Sequence, residues 1–202
     1  MQKKLAIIGA SDFQNPLILK AKELGFETHV FAWKCGDIGE SSADYFYPIS
    51  ITEIDQIAEK CKSIGVDGIC SIGTDLGNIT VSKVADKLGL CANSLECIEL
   101  STNKHLMREA FFQNGDPSPR SYQVTDVSDA ENLNLAYPII VKPVDRSGSR
   151  CITKLQSPQG LEDAVCSAID VSFSKACVVE EFFAGIEYSV EFITWKGEHH
   201  FL

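Results

Sequence analysis

"YPIIVKPVDRSGSRCI", residues 137–152, sets a lysine at the end of an apolar run and opens at once into a polar, flexible loop. The run up to Pro143 reads as a strand, and Pro143 stops further pairing because it has no amide hydrogen to donate. Residues 145–150 form the loop, and "CITKL" (151–155) returns as a second extended segment. This pattern suits a lysine, Lys142, aimed at phosphate under a mobile lid. It also suits an ordinary hairpin with a solvated tip. The flanking sequence bears on the choice.

Downstream, Ser157 and Pro158 open a helix whose Leu161, Ala164, Val165, Ala168 and Ile169 share one face. "ACVVEEFFAGIEYSVEFITW" (176–195) then gives an apolar strand, two glutamates, a bend at Ala184–Gly185 and an alternating strand. Glu187, Ser189 and Glu191 share one face of that strand. Upstream, "STNKHLMREAFFQNG" (101–115) reads as a helix capped by Ser101 or Thr102 and stopped by Gly115. Lys104 lies in its first turn, where a cation opposes the helix dipole. An anion at that terminus would be held jointly by the lysine and the free N–H groups. Without one, Lys104 is simply an exposed lysine. "DPSPRSYQV" (116–124) is a Pro-rich link into a further strand.

Residues 1–94 have a different rhythm. "KLAIIGAS" (4–11) is a buried strand, followed by a helix with Asn15 as cap and Pro16 in its first turn. Leu17, Ile18, Ala21 and Leu24 form its apolar stripe, and Gly25 ends it. "ETHVFAW" (27–33) is a second strand. "DYFYPIS" (44–50) leads to Thr52, with Asp55 three residues on in a capping pattern. Ile54, Ile57, Ala58 and Cys61 make the next buried helical face, which Gly65 closes. "VDGICSIG" (66–73) is a strand, residues 76–88 a helix ending at Gly89, and "LCANS" (90–94) a short strand. Such alternation implies a parallel sheet covered on both faces. Sheets of this kind bind ligands beyond the carboxyl ends of their strands. Gly9, Ala10, Ser11 and Asp12 follow the first strand, and Thr74 and Asp75 follow the strand at 68–72. They are either a substrate pocket or connecting turns. Nicotinamide cofactors are disfavoured: "GASDFQNP" (9–16) lacks GxGxxG, and the second strand ends in Ala32, Trp33 and Lys34 with no acid for a ribose. GxxxxGK[ST] is also absent.

The bulk numbers fit an ordinary globular chain: 202 residues, 45% hydrophobic and 23% charged. With a net charge of −10 and no basic stripe, nucleic acid is an unfavoured partner. The apolar runs are too short to span a membrane. The opening "MQKKLAIIGAS" is too short in its apolar part for a secretion signal. None of the eight cysteines forms a CxxC pair, and several lie in apolar segments, which implies small hydrophobes in a reducing cytoplasm. His199 and His200, without a third ligand nearby, read as a strand surface.

In this order, the segments from 99 to 192 resemble the ATP-grasp superfamily of ligases. "NKHLMREAF…GDPSPR" resembles the family's first lysine helix and its proline-containing exit. "YPIIVKPVDRSGSRCI" resembles the second lysine strand and the phosphate-covering loop, with Cys151 where the family often has glycine. "VVEEFFAGIEYSVEF" resembles the hinge that holds adenine and ribose. The fold implied is α/β: a Rossmann-like parallel-sheet domain (1–94), a connecting helical segment (95–116), the small α+β lobe of the ATP-grasp (117–183) and the start of a second lobe (184–202). The resemblance implies ATP phosphates on Lys104 and Lys142, and loop amides from Ser147, Gly148 and Ser149 turned toward phosphate oxygens. It implies Glu180 accepting from the adenine amino group, main-chain groups of Glu181 and Phe183 on the adenine edge, and Glu187 on the ribose. Gly9, Ser11, Thr74 and Asp75 would serve the substrate.

The implied parent activity is an ATP-dependent carboxylate ligase. A carboxylate is phosphorylated with Mg²⁺ bridging the phosphates, and an amine or similar nucleophile attacks the acyl phosphate. Catalysis would rest on positioning and charge neutralisation. The family's metal ligands lie well past the hinge, so they are expected beyond residue 202. The chain then reads as the inactive N-terminal part of a longer enzyme, or as a split-gene subunit. A non-catalytic nucleotide-binding module is the alternative, and a homodimer is compatible with either.

Overall fold

A computed structural model describes residues 2–134 and 136–202. The first half alternates strand and helix: β1 (Lys4–Ile8), α1 (Asn15–Glu23), β2 (Glu27–Phe31), α2 (Ile38–Ser42), β3 (Tyr45–Tyr47), α3 (Ile54–Ile64), β4 (Gly68–Cys70) and α4 (Asp75–Leu88). The four strands form one parallel sheet in the order β3-β2-β1-β4. Its two faces carry separate cores. Ile7, Ile18, Ala21 and Val30 pack on one side. Ala6, Ile8, Phe31, Ile57, Cys61 and Val84 pack on the other. Each fully buried aliphatic of this kind contributes about 1.5–3 kcal/mol, so α1 and α3 are held chiefly by their buried stripes. Helix caps here differ from the sequence expectation. Gln14, not Asn15, precedes α1, Glu53 precedes α3, and neither makes a side-chain cap bond.

The sheet order puts the topological switch between β1 and β4, where a crevice opens at the carboxyl ends. Gln14, only 4% exposed, fills it. Its Oε1 accepts from the Ser11 hydroxyl at 2.6 Å, and its Nε2 donates to the Ile72 carbonyl at 2.5 Å. Gly9 sits at φ 99°, and a Cβ there would lie 2.9 Å from the Gln14 side chain. Glycine is therefore required at this position both by backbone conformation and by space.

α5 (Leu95–Thr102) and α6 (Lys104–Asn114) follow. The expected single helix is broken at Asn103, and the strand expected at 90–94 is irregular backbone leading to the Ser94 cap. Asn103, extended at φ −91° and ψ 112°, ends α5. Its side chain accepts from the amides of His105 and Leu106, which starts α6. Neither Ser101 nor Thr102 is the cap: each hydroxyl donates to the Ile98 carbonyl inside α5.

The second half comprises β5 (Ser121–Val124), α7 (Val127–Glu131), β6 (Ile139–Pro143), β7 (Thr153–Leu155), α8 (Leu161–Val171) and β8 (Cys177–Glu181). These strands form an antiparallel sheet in the order β5-β8-β6-β7. Ile139, Val141, Cys177 and Val179 face Leu161, Ala164, Val165 and Ala168 of α8, and Ala130 of α7 completes the core. The opposite sheet face is left for other work.

A hairpin, β9 (Phe192–Trp195) and β10 (Glu198–Phe201), ends the chain. The strand expected to carry Glu187, Ser189 and Glu191 on one face begins only at Phe192. Its ladder has a partner only from there, opposite Phe201. His199 and His200 lie on the exposed β10. All eight cysteines are free, but only Cys61 and Cys177 are buried; Cys35, Cys91, Cys97, Cys151 and Cys166 are exposed. Burial pushes the thiols of Cys61 and Cys177 up to about 12.

Candidate functional site

The face of the antiparallel sheet away from α8 gathers charge. Ile140 is opposite Glu180 and Lys142 opposite Val178, so Lys142 and Glu180 project from the same face, a diagonal step apart. The Lys142 ammonium is ion-paired with Glu180 Oε1. The other carboxylate oxygen accepts from Arg108 Nε at 3.2 Å. Glu180 is 4% exposed, so this carboxylate lies buried between two cations, one from β6 and one from α6. A buried acid is retained at tolerable cost only when it is paired and hydrogen-bonded in this way.

α6 reaches the same place with a second cation. The Lys104 amide donates to the Val144 carbonyl at 2.9 Å, and its ammonium donates to the Arg146 carbonyl at 2.5 Å. Lys104 is half-buried. Burial, and then the positive charge of Lys142, hold its pKa below the usual lysine range; Asp145, Asp75 and Glu180 act in the opposite direction. A partly desolvated Lys104 whose charge is disfavoured by the neighbouring Lys142 makes an anion-demanding spot in an otherwise acidic protein. The fit to a polyphosphate is good on this ground.

The loop after β6 is pinned at its start and free at its tip. Asp145 Oδ1 accepts from the Ser172 hydroxyl at 2.9 Å and the Phe173 amide at 3.0 Å, and Oδ2 from the Ser174 amide at 2.7 Å. Burial raises the Asp145 pKa, but hydrogen bonds from Ser174, Ser172 and Phe173 outweigh it and leave the group below its ordinary value. The Arg146 guanidinium lies 4.2 Å from the Phe173 ring centroid. Ser147, Gly148 and Ser149 are exposed, with Gly148 at φ 72° and Ser149 at φ 53°. Cys151, where the family often has glycine, also adopts a left-handed φ of 50°.

The remaining candidate residues are placed less centrally. Glu181 points to the other sheet face, beside Arg120. Its amide donates to the Arg120 carbonyl at 3.1 Å, so that N–H is already engaged. Phe183 lies beyond the end of β8 and is 64% exposed. Glu187 falls in the exposed irregular segment before β9, not on a strand face. Gly9 and Ser11 are occupied by the Gln14 network. Thr74 and Asp75 instead line a cleft of about 390 Å³ with Thr102, Arg146, Arg150 and Phe173. Among the described residues, no group of three or more His, Cys, Asp or Glu side chains is arranged to hold a metal ion.

Sequence reading passed over Arg108, Arg146 and Arg150. Arg108 stands four residues after Lys104, a spacing that sets both on one side of α6. That spacing was the available signal. The two arginines sit inside the loop already singled out, but only the assembled fold shows that they line one cleft with Asp75.

An antiparallel lysine-bearing sheet preceded by a parallel α/β unit, with a phosphate-suited loop, defines a nucleotide-using class of fold. The ATP-grasp domain profile matches residues 101–202, and the chain belongs to the ATP-grasp family. It is 24% identical over 152 residues to the carbamoyl phosphate synthase large chain of Thermoanaerobacter pseudethanolicus, covering 74% of this chain and 14% of that one. It superposes on phosphoribosylglycinamide synthetase from Anaerococcus prevotii with a TM-score of 0.72 at 26% identity, covering 98% of this chain and 50% of that one. The L-amino acid ligase from Bacillus licheniformis shares the fold, with a TM-score of 0.85 at 23% identity over 100% of this chain and 51% of that one. The chain thus spans about half the length of these solved structures and far less of the curated relative. No helix among the described residues is long and apolar enough to cross a membrane.

Proposed function

We propose that this chain supplies the nucleotide-holding lobe and part of the substrate side of an ATP-dependent carboxylate ligase. The observation that carries the reading is the half-buried Lys104 set beside Lys142, under a loop with exposed amides. In this reading residues 1–94 form the substrate-side domain, 95–116 the connecting helices, 117–183 the small nucleotide lobe and 184–202 the start of the second lobe.

Lys104 and Lys142 neutralise the ATP phosphates as point charges, where charge-assisted contacts are strongest. Ser147, Gly148 and Ser149 donate main-chain N–H groups from above. Glu180 has two roles. It orients Lys142 through its Oε1, and in this reading it also accepts from the adenine amino group. The Glu181 carbonyl and the Phe183 amide read the adenine edge, and Glu187 reaches the ribose once the segment after β8 is ordered around nucleotide. The chemistry supplied by ATP is activation of a carboxylate as an acyl phosphate for attack by an amine. The chain's own groups hold the triphosphate in line and exclude water from it. Mg²⁺ accompanies ATP in such ligases, but the described residues do not fit it, so the chain's contribution rests on its lysines and loop amides.

Calorimetric titration of ATP into the 202-residue chain tests the nucleotide reading, and absence of binding overturns it. An ADP-release assay with Mg²⁺ and a broad mixture of carboxylates and amines tests the rest. The expected outcome is binding without turnover. Robust turnover by the chain alone would show that its metal site and acceptor site are complete.

A further inference from the structure

None of the residues of α6 is buried. One side of this helix and the link that enters β5 wall a cavity of about 550 Å³. β5 is the outermost strand of the antiparallel sheet, so the cavity lies at the sheet's edge. Its lining, among the described residues, excludes Lys104, Lys142 and the loop at 145–150. Two guanidinium groups reach it. Arg108 spends its Nε on Glu180 at 3.2 Å, and the rest of its planar fork makes no hydrogen bond among the described residues. Arg120 Nε lies 3.9 Å from Glu181 Oε1, and its side chain is 75% exposed, so that pair is loose. The one carboxylate in the lining, Glu109, has its Oε1 3.4 Å from His105 Nε2. Ser121 is opposite Glu180 in the ladder and shares its sheet face. Its hydroxyl is enclosed and has no hydrogen-bond partner among the described residues, a state that calls for an explanation. Phe112 follows Arg108 by four residues, on the same side of α6, and is 83% exposed. Pro119 adds a second apolar wall.

We propose that this cavity is a second ligand site, for a small aromatic oxyanion: a planar ring bearing a phosphate or a carboxylate. The anion lies between Arg108 and Arg120, and the ring lies against Phe112 and Pro119. Guanidinium forks match either oxyanion through paired N–H donors, and one aromatic ring stacks offset on another. The volume is that of a small-molecule site. An inorganic anion leaves the Phe112 ring in water. An uncharged ring leaves two guanidinium groups without a counter-charge, and a cation meets two arginines against one acid. The ring-bearing anion satisfies both parts of the lining and gives the Ser121 hydroxyl an acceptor. Since Arg108 also holds Glu180, the occupant rests beside the buried acid that is paired with Lys142.

Protein-observed NMR titrations of the 202-residue chain, without nucleotide, compare four probes: phenyl phosphate, phenylacetate, inorganic phosphate, which lacks the ring, and benzyl alcohol, which lacks the charge. At least one ring-bearing anion is expected to bind ~10-fold more tightly than either control, as the loss of one charge-assisted contact implies, and to shift the amides of Ser118, Arg120 and Ser121. The tighter of the two tells whether the natural occupant is a phosphate ester or a carboxylate. Arg120→Gln should weaken that probe by ~10-fold, and Phe112→Ala should remove its advantage over inorganic phosphate. Lys104→Gln should leave it unchanged. Arg108 stays intact, because its loss leaves buried Glu180 with Lys142 alone. The proposal is overturned if neither ring-bearing anion binds or outbinds both controls. It is also overturned if Arg120→Gln leaves the binding intact, or if Lys104→Gln weakens it as much, which would put the anion in the phosphate site. ATP takes no part in these titrations, so they decide the cavity whether or not the nucleotide reading holds.

Discussion

At the scale of single residues, the site is organised around one acid and three cations. Glu180 accepts from Lys142 and Arg108, while Lys104 stands close by with its charge disfavoured by burial and by Lys142. Replacing Lys142 with alanine would remove the proposed phosphate contact and leaves Glu180 with Arg108 alone. ATP affinity is expected to fall by on the order of 2–4 kcal/mol, with a lowered melting temperature. Calorimetry on the folded variant checks this, and unchanged affinity would exclude Lys142 as a ligand. Lys104 makes a second prediction. Its folded pKa is below the unfolded one, so between the two the unfolded chain binds more protons, and this group's contribution to stability rises with pH across that window. A phosphate held beside it, as proposed, would restore the charged form. At about pH 10, ATP binding should therefore take up protons, measured by calorimetry in two buffers of different ionisation heat. Equal apparent enthalpies would show Lys104 to be uninvolved. The positions of the lysines were legible in the sequence: Lys142 ends a strand before a polar loop, and Lys104 falls in the first turn of a helix. Arg108 was signalled only by its four-residue spacing from Lys104, which does not tell that it will meet a buried acid contributed from 72 residues away.

At the scale of elements, the strand–loop–strand at 137–155 was readable because Lys142, Pro143 and the glycine-containing loop leave few alternatives. The helix break at Asn103 was not. Ser101, Thr102 and Asn103 are all good caps, and the choice falls to Asn103 because its extended backbone lets one side-chain oxygen satisfy two amides. The alternation over 187–191 likewise looked like a strand, but alternation without a partner strand does not make a ladder. Within the loop, Asp145 and Arg146 are anchored by several contacts, whereas residues 147–150 are exposed. Amide exchange is therefore expected to slow on adding an ATP analogue at 147–150, with the Phe173 and Ser174 amides, which donate to Asp145, already protected in its absence. Equal exchange of the tip in both states would rule out a closing lid.

At the scale of the whole molecule, the two sheets have cores of their own, while the β9–β10 hairpin has none. Phe192, Ile193, Trp195 and Phe201 are 53%, 57%, 56% and 78% exposed. Phe192 and Phe201 share one face of the hairpin and Ile193 and Trp195 the other, and exposed apolar side chains on both faces favour association. The isolated chain should sediment with increasing apparent mass as its concentration rises, and Phe192→Ser with Trp195→Ser should suppress the increase. Concentration-independent monomer for the parent chain would contradict this.

The contacts that assemble the site join distant points of the chain: Lys104 to Arg146 across 42 residues, Lys142 to Glu180 across 38, and Arg108 to Glu180 across 72. Closing such long loops is entropically costly and is repaid late. The charged cluster should therefore form after the folding barrier has been crossed, on the native side of it. A nucleotide that grips only the finished cluster would then act as a brake on escape from the native state and not as an accelerator of arrival. In stopped-flow denaturant jumps, ATP should lower the unfolding rate and leave the refolding rate nearly unchanged.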